Sequence, residues 1–90
     1  MSQDDVERLR AEIDGLDDQL LSLLARRIEV VRELGGAKRR AGRPAVDPTR
    51  ERAIVDRLAS SPAGRTLGRE ELEAIYERIF SVTRRVVAGP

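Results

Sequence analysis

The sequence predicts an all-helical fold, and three features carry that prediction. Apolar residues recur at helical spacing along almost the whole chain. Arg, Leu, Glu and Ala, all good helix formers, fill the long segments. Loop-forming residues cluster at only two places, residues 41–46 and 60–68. With 90 residues the chain fits one domain over 1–90, and it is too short to bury a large core alone.

The first helix is expected from about Asp4 to about Arg40. Val6, Leu9, Ile13, Leu16, Leu20, Leu23, Val30 and Leu34 advance in alternating steps of three and four, with one gap at Arg27. Gly35 and Gly36 fall inside it at a cost of ~1 kcal/mol each relative to alanine. Either they weaken its last turns or they let another backbone approach closely. Ala41 to Val46 reads as a loop, marked by Gly42 and Pro44. Asp47-Pro48 then opens a second helix, with Asp as the N-cap and Pro at the first helical position. That helix carries Ile54, Val55 and Leu58 and stops near Ala59. Ser60 to Gly68 reads as a second loop. A last helix starts near Gly68 or Arg69, with Glu70 and Glu71 in its first turn, where the helix dipole favours them. Leu72, Ile75, Tyr76, Ile79, Phe80, Val86 and Val87 form its apolar face, and Gly89-Pro90 ends it.

The expected architecture is therefore three helices per chain in an intertwined homodimer. A first helix ~55 Å long cannot be wrapped within a globule whose radius of gyration is ~12 Å. Pairing of the long helices along their heptad-like seam lets each chain cover the other.

Composition narrows the chemistry. Cysteine and histidine are both absent, which removes disulfides, thiolates, the commonest general base and the commonest zinc ligand. Catalysis would have to run on Arg, Lys, Asp, Glu and hydroxyl groups. The net charge is only +1, from 17 basic and 16 acidic residues, which argues against nucleic acid as a partner. The basic run KRRAGR (Lys38 to Arg43) has no aromatic interleaving and reads as a solvated loop end. No apolar run approaches the ~20 residues of a membrane span. The opening MSQDDVERLR is charged, unlike a secretory signal, so the expected location is the cytoplasm, away from any membrane.

Several charges fall where core residues belong. At 100° per residue, Arg27 and Lys38 lie on the centre line of the first helix's apolar stripe, and Arg10 lies on its flank, about 80° away. Taken singly, each is compatible with an internal ion pair or a snorkelling side chain. Arg50 and Glu51 lie one turn before Ile54 and Leu58, with Asp47 at the helix mouth. Their plain structural reading is a cap and two partly exposed charges. Thr83 sits at the centre of the last apolar face, where a hydrogen-bonded core threonine is the ordinary case. Taken together, Arg10, Arg27, Lys38 and Arg50 against Asp47 and Glu51 suit a small dianion bearing a neutral hydroxyl. Arg27 and Lys38 are ~16 Å apart along the axis and can close on one compact ligand. Arg10 is ~25 Å from Arg27, so it can join only from a second chain.

These residues carry a resemblance to the all-helical class of chorismate mutases. The pieces are LRxxIDxLDxxLLxLLxxR from Leu9, GxAK ending at Lys38, and D-x-x-R-E from Asp47. The likeness extends over nearly the full length. It implies an intertwined dimer with two active sites, each built from both chains. It also implies cofactor-free rearrangement of chorismate to prephenate, in phenylalanine and tyrosine biosynthesis. By the same resemblance, Arg10 reaches the partner's site and binds a carboxylate, and Arg27 binds a carboxylate in its own site. Lys38 contacts a carboxylate and the ether oxygen whose bond breaks. Asp47 and Glu51 hold the ring hydroxyl, Arg50 supports the carboxylate region, and Thr83 matches the family's small hydroxyl residue. Lys38, Arg27 and Glu51 are the expected catalytic groups. Val87 departs from the pattern: the family usually carries Gln or Glu there, as a second donor to the ether oxygen. Lys38 is then the lone donor unless Arg84 or Arg85 replaces it. Short family members resembling this one gain activity in complex with DAHP synthase, which opens the shikimate pathway, so a mutase weak alone and activated by that partner is expected.

Three other readings compete. Isochorismate pyruvate lyase shares the fold, but the retained Asp47 looks more like a mutase. A mutase acting on the 4-amino analogue of chorismate is a near neighbour. A non-catalytic helical dimerisation module has little reason to collect several cations on apolar faces.

Overall fold

The computed structural model describes residues 2–88, and its helices are α1 (Gln3–Arg40), α2 (Pro48–Ala59), α3 (Pro62–Leu67) and α4 (Arg69–Ala88). No strand occurs among the described residues. The expected chain ending at Gly89-Pro90 lies outside them. Two compact units divide within α1, one up to Val30 and one from Val31 onward.

Ser2 caps α1 in a reciprocal box. Its Oγ accepts from the Asp5 backbone N–H at 3.2 Å, and its own N–H donates to Asp5 Oδ2 at 3.2 Å. These donors, the Ser2 backbone first and its hydroxyl second, hold the Asp5 carboxyl below the usual aspartate range. In the first unit the apolar stripe of α1 is open. Ile13, Leu16, Leu20 and Leu23 are between 51% and 67% exposed, and α1 has no buried residue.

In the second unit α2, α3 and α4 pack on one another, with Leu72 and Phe80 as the buried apolar residues. Tyr76 meets Phe80 edge-on, with ring centroids 5.8 Å apart. Near the end of α1, Arg32 Nη2 donates to the Val86 carbonyl in the last turn of α4 at 3.3 Å, a cation where the helix dipole favours one. Gly35 and Gly36 stay helical. A Cβ at either would meet only the far ends of Arg39 and Arg40, at 3.4 Å or more, so no other part of this chain uses their smallness.

The segment expected as the second loop contains α3. Ser61 caps it by accepting from the Gly64 N–H at 3.1 Å, and Pro62 fills its first turn. Gly68, at φ +88°, ends it with its N–H on the Gly64 carbonyl. Among the described residues four helices therefore replace the expected three, because six residues were too few to show an apolar period.

Candidate active site

Lys38 stands in the last turn of α1, and the chain around it is tied at both ends. The Arg43 N–H reaches the Lys38 carbonyl at 2.8 Å, and the Gly42 N–H reaches the Arg39 carbonyl at 3.2 Å. That pair of bonds is a Schellman closure, and it places Gly42 at φ +68°, a conformation glycine adopts without strain. The loop then turns back, so that Lys38 Nζ donates to the Ala45 carbonyl at 3.2 Å. Lys38 is half-buried as a residue, and its ammonium is thus held beside the chain that leads into Asp47. One of its three protons is engaged there, and two remain for other acceptors.

Asp47 caps α2: its Oδ1 accepts from the Arg50 N–H at 3.0 Å, with Pro48 behind it. The Arg50 side chain is exposed. Glu51, one residue on, is half-buried and faces α4, where Arg84 Nη1 meets its Oε2 at 2.6 Å. Both line a cleft of about 470 Å³ between α2 and α4, floored by Val55 and Phe80. At its far side Arg69 bridges Asp56 and Glu73, the latter at 2.7 Å. Those carboxylates, Asp56 first, raise the Arg69 pKa further above its usual range.

Thr83 is buried, and its hydroxyl donates to the Ile79 carbonyl one turn back at 2.6 Å. A substrate oxygen seeking that proton would compete with the helix. Val87 is half-buried and offers no donor. Both remaining residues of the expected set belong to the first unit. Arg10 is exposed and pairs with Glu7 at 3.6 Å, and Arg27 is half-buried. Among the described residues no group of three or more Asp or Glu side chains could hold a metal ion.

The second unit thus joins Lys38 to the loop before Asp47, sets Asp47, Arg50 and Glu51 on one turn, and pairs Glu51 with Arg84, next to Thr83. Sequence reasoning considered Arg84 as a replacement donor to an ether oxygen and missed its partnership with Glu51. The available signal was spacing: Phe80, Arg84 and Val87 share one face of α4.

Residues 9–87 match the model of the family described as chorismate mutase type II. This chain belongs to that family. Its relatives include a 4-amino-4-deoxychorismate mutase from Streptomyces venezuelae, 36% identical over 84 residues, which cover 93% of this chain and 82% of the relative. The bifunctional chorismate mutase/prephenate dehydratase of Escherichia coli K12 is 40% identical over 83 residues, 90% of this chain and 20% of that enzyme. The intracellular chorismate mutase of Mycobacterium bovis is 34% identical over 64 residues, covering 70% and 61%. This type II chorismate mutase chain therefore spans most of the first relative and about a fifth of the bifunctional enzyme.

Proposed function

We propose that this chain is a cytoplasmic chorismate mutase domain that converts chorismate to prephenate as an intertwined homodimer. The observation that carries the reading is the family match, which contains all eight proposed site residues between Arg10 and Val87. The reaction is an intramolecular Claisen rearrangement and needs no base, nucleophile or cofactor. The protein's task is to hold the compact diaxial conformer of a flexible dianion, and charged clamps on two carboxylates do that. Arg27 and Arg50 serve this role within a site, and Arg10 serves the partner's. Lys38 meets the negative charge that grows on the ether oxygen, where a preorganised cation contributes most. Asp47 and Glu51 accept from the ring hydroxyl. Thr83 lines the site as the small hydroxyl residue.

The open stripe on α1 supports the dimer. Each leucine there is already partly shielded, so covering the rest contributes ~1–2 kcal/mol, and a second copy gains most by lying along the stripe. No helix among the described residues is long and apolar enough to cross a membrane. Sedimentation at micromolar concentration is expected to give twice the mass of one chain. A monomer retaining full turnover would exclude a site shared between chains.

Val87 removes the second donor to the ether oxygen, so the protein alone is expected to be a weak mutase that DAHP synthase activates. Incubation with chorismate, with product identified by chromatography, tests this with and without the synthase. Prephenate formation that rises on titration supports both parts. Failure to form prephenate in either case overturns the reading. The Streptomyces venezuelae relative favours a second reading, in which the substrate is 4-amino-4-deoxychorismate. The same assay run on that compound decides between them.

A further inference from the structure

The ring substituent is what separates those two substrates, a neutral hydroxyl in one and an amine that carries a proton in the other. Asp47 and Glu51 are the two acids assigned to it, and both are already engaged. Asp47 Oδ1 holds the Arg50 N–H at 3.0 Å, and Glu51 Oε2 holds the Arg84 guanidinium at 2.6 Å. A carboxylate has about four acceptor sites, so Glu51 can pair with Arg84 and still accept a hydroxyl proton. An ammonium fares worse there. The negative charge that would attract it is met by Arg84, and the two cations would lie within a few ångströms of each other.

We propose that Arg84 is a specificity-determining residue that, by pairing with Glu51 across the α2–α4 cleft, selects a hydroxyl over an ammonium on the substrate ring. The assignment rests on the reading of Asp47 and Glu51 as the ring-substituent acids. It adds a residue that acts through Glu51 without touching the breaking bond. Solvent reaches the pair, with side chains 45% and 31% exposed, so screening moderates the effect without removing it.

The test is the ratio of kcat/KM for chorismate to kcat/KM for 4-amino-4-deoxychorismate. Arg84→Gln is expected to shift that ratio by about tenfold toward the amine, while Arg84→Lys keeps the ratio of the unsubstituted protein. A merely structural role would lower both substrates together and leave the ratio where it was. Arg84→Met preserves the side chain's apolar stem and gives the same readout should the glutamine variant fold poorly. An unchanged ratio in an active Arg84→Gln or Arg84→Met protein overturns the assignment while leaving the mutase intact. Absence of turnover of either substrate by the unsubstituted protein, with or without DAHP synthase, overturns the mutase reading and this assignment with it.

Discussion

Replacing Lys38 with alanine is expected to lower kcat for chorismate by ~10²–10³ with little change in helix content. The cation is positioned before substrate arrives, by the closure of α1 and by the Ala45 carbonyl. On the proposed mechanism it would therefore stabilise developing charge without reorganising at the moment of reaction. Val87 offers no second donor at its own position, so more of that burden rests on Lys38. The loss falls on kcat because the ether oxygen gains its charge only as the bond breaks. The fold tolerates the change. The Arg43-to-Lys38 bond uses the backbone and persists, and one exposed side-chain hydrogen bond contributes ~1 kcal/mol at most. Steady-state kinetics with circular dichroism on the same sample checks both halves. A variant turning over at the unsubstituted rate would show that the transition-state charge is met elsewhere.

Gly64→Ala is expected to be the most damaging single-methyl change in the second unit. A Cβ there would lie 1.9 Å from the Leu58 carbonyl oxygen, 2.8 Å from its carbon and 3.0 Å from Ala59 Cα. All three are backbone atoms, so no side chain can swing away. Relief requires α3 to lift from the end of α2. That motion breaks the bond from Ser61 Oγ to the Leu58 carbonyl, at 2.6 Å. Overpacking of this kind costs about 3 kcal/mol. For a domain of this size that is a fall in Tm on the order of 15 °C. Thermal unfolding followed by circular dichroism measures it, and a Tm within about 2 °C of the unsubstituted protein would contradict the steric account.

How much was legible in the sequence depended on whether the signal was local. The long run of three- and four-residue steps placed α1 to within one residue of its observed start, and Asp47-Pro48 located α2. The helix α3 was hidden because PAGRTL carries a proline, a glycine and too few apolar residues to mark a face. Yet Ser61-Pro62 repeats the cap-then-proline signature of Asp47-Pro48, so its start was readable while its existence was not. Among site residues, Lys38 and Arg27 stood out as cations on an apolar stripe. The Glu51–Arg84 pair did not, because it joins residues 33 apart whose meeting is decided by how α2 packs on α4.

Surface loops usually absorb insertions and deletions without loss, since their ends stay put while the middle bulges. The turn after α1 lacks that freedom. Lys38 anchors it twice, through its own carbonyl at Arg43 and through its ammonium at Ala45. A residue gained or lost between those anchors has nowhere to go except into the placement of the charge. On the proposed reading, chain length in this turn therefore bears on the lysine itself, and variation that elsewhere on the surface would be silent is expected here to register at the proposed site.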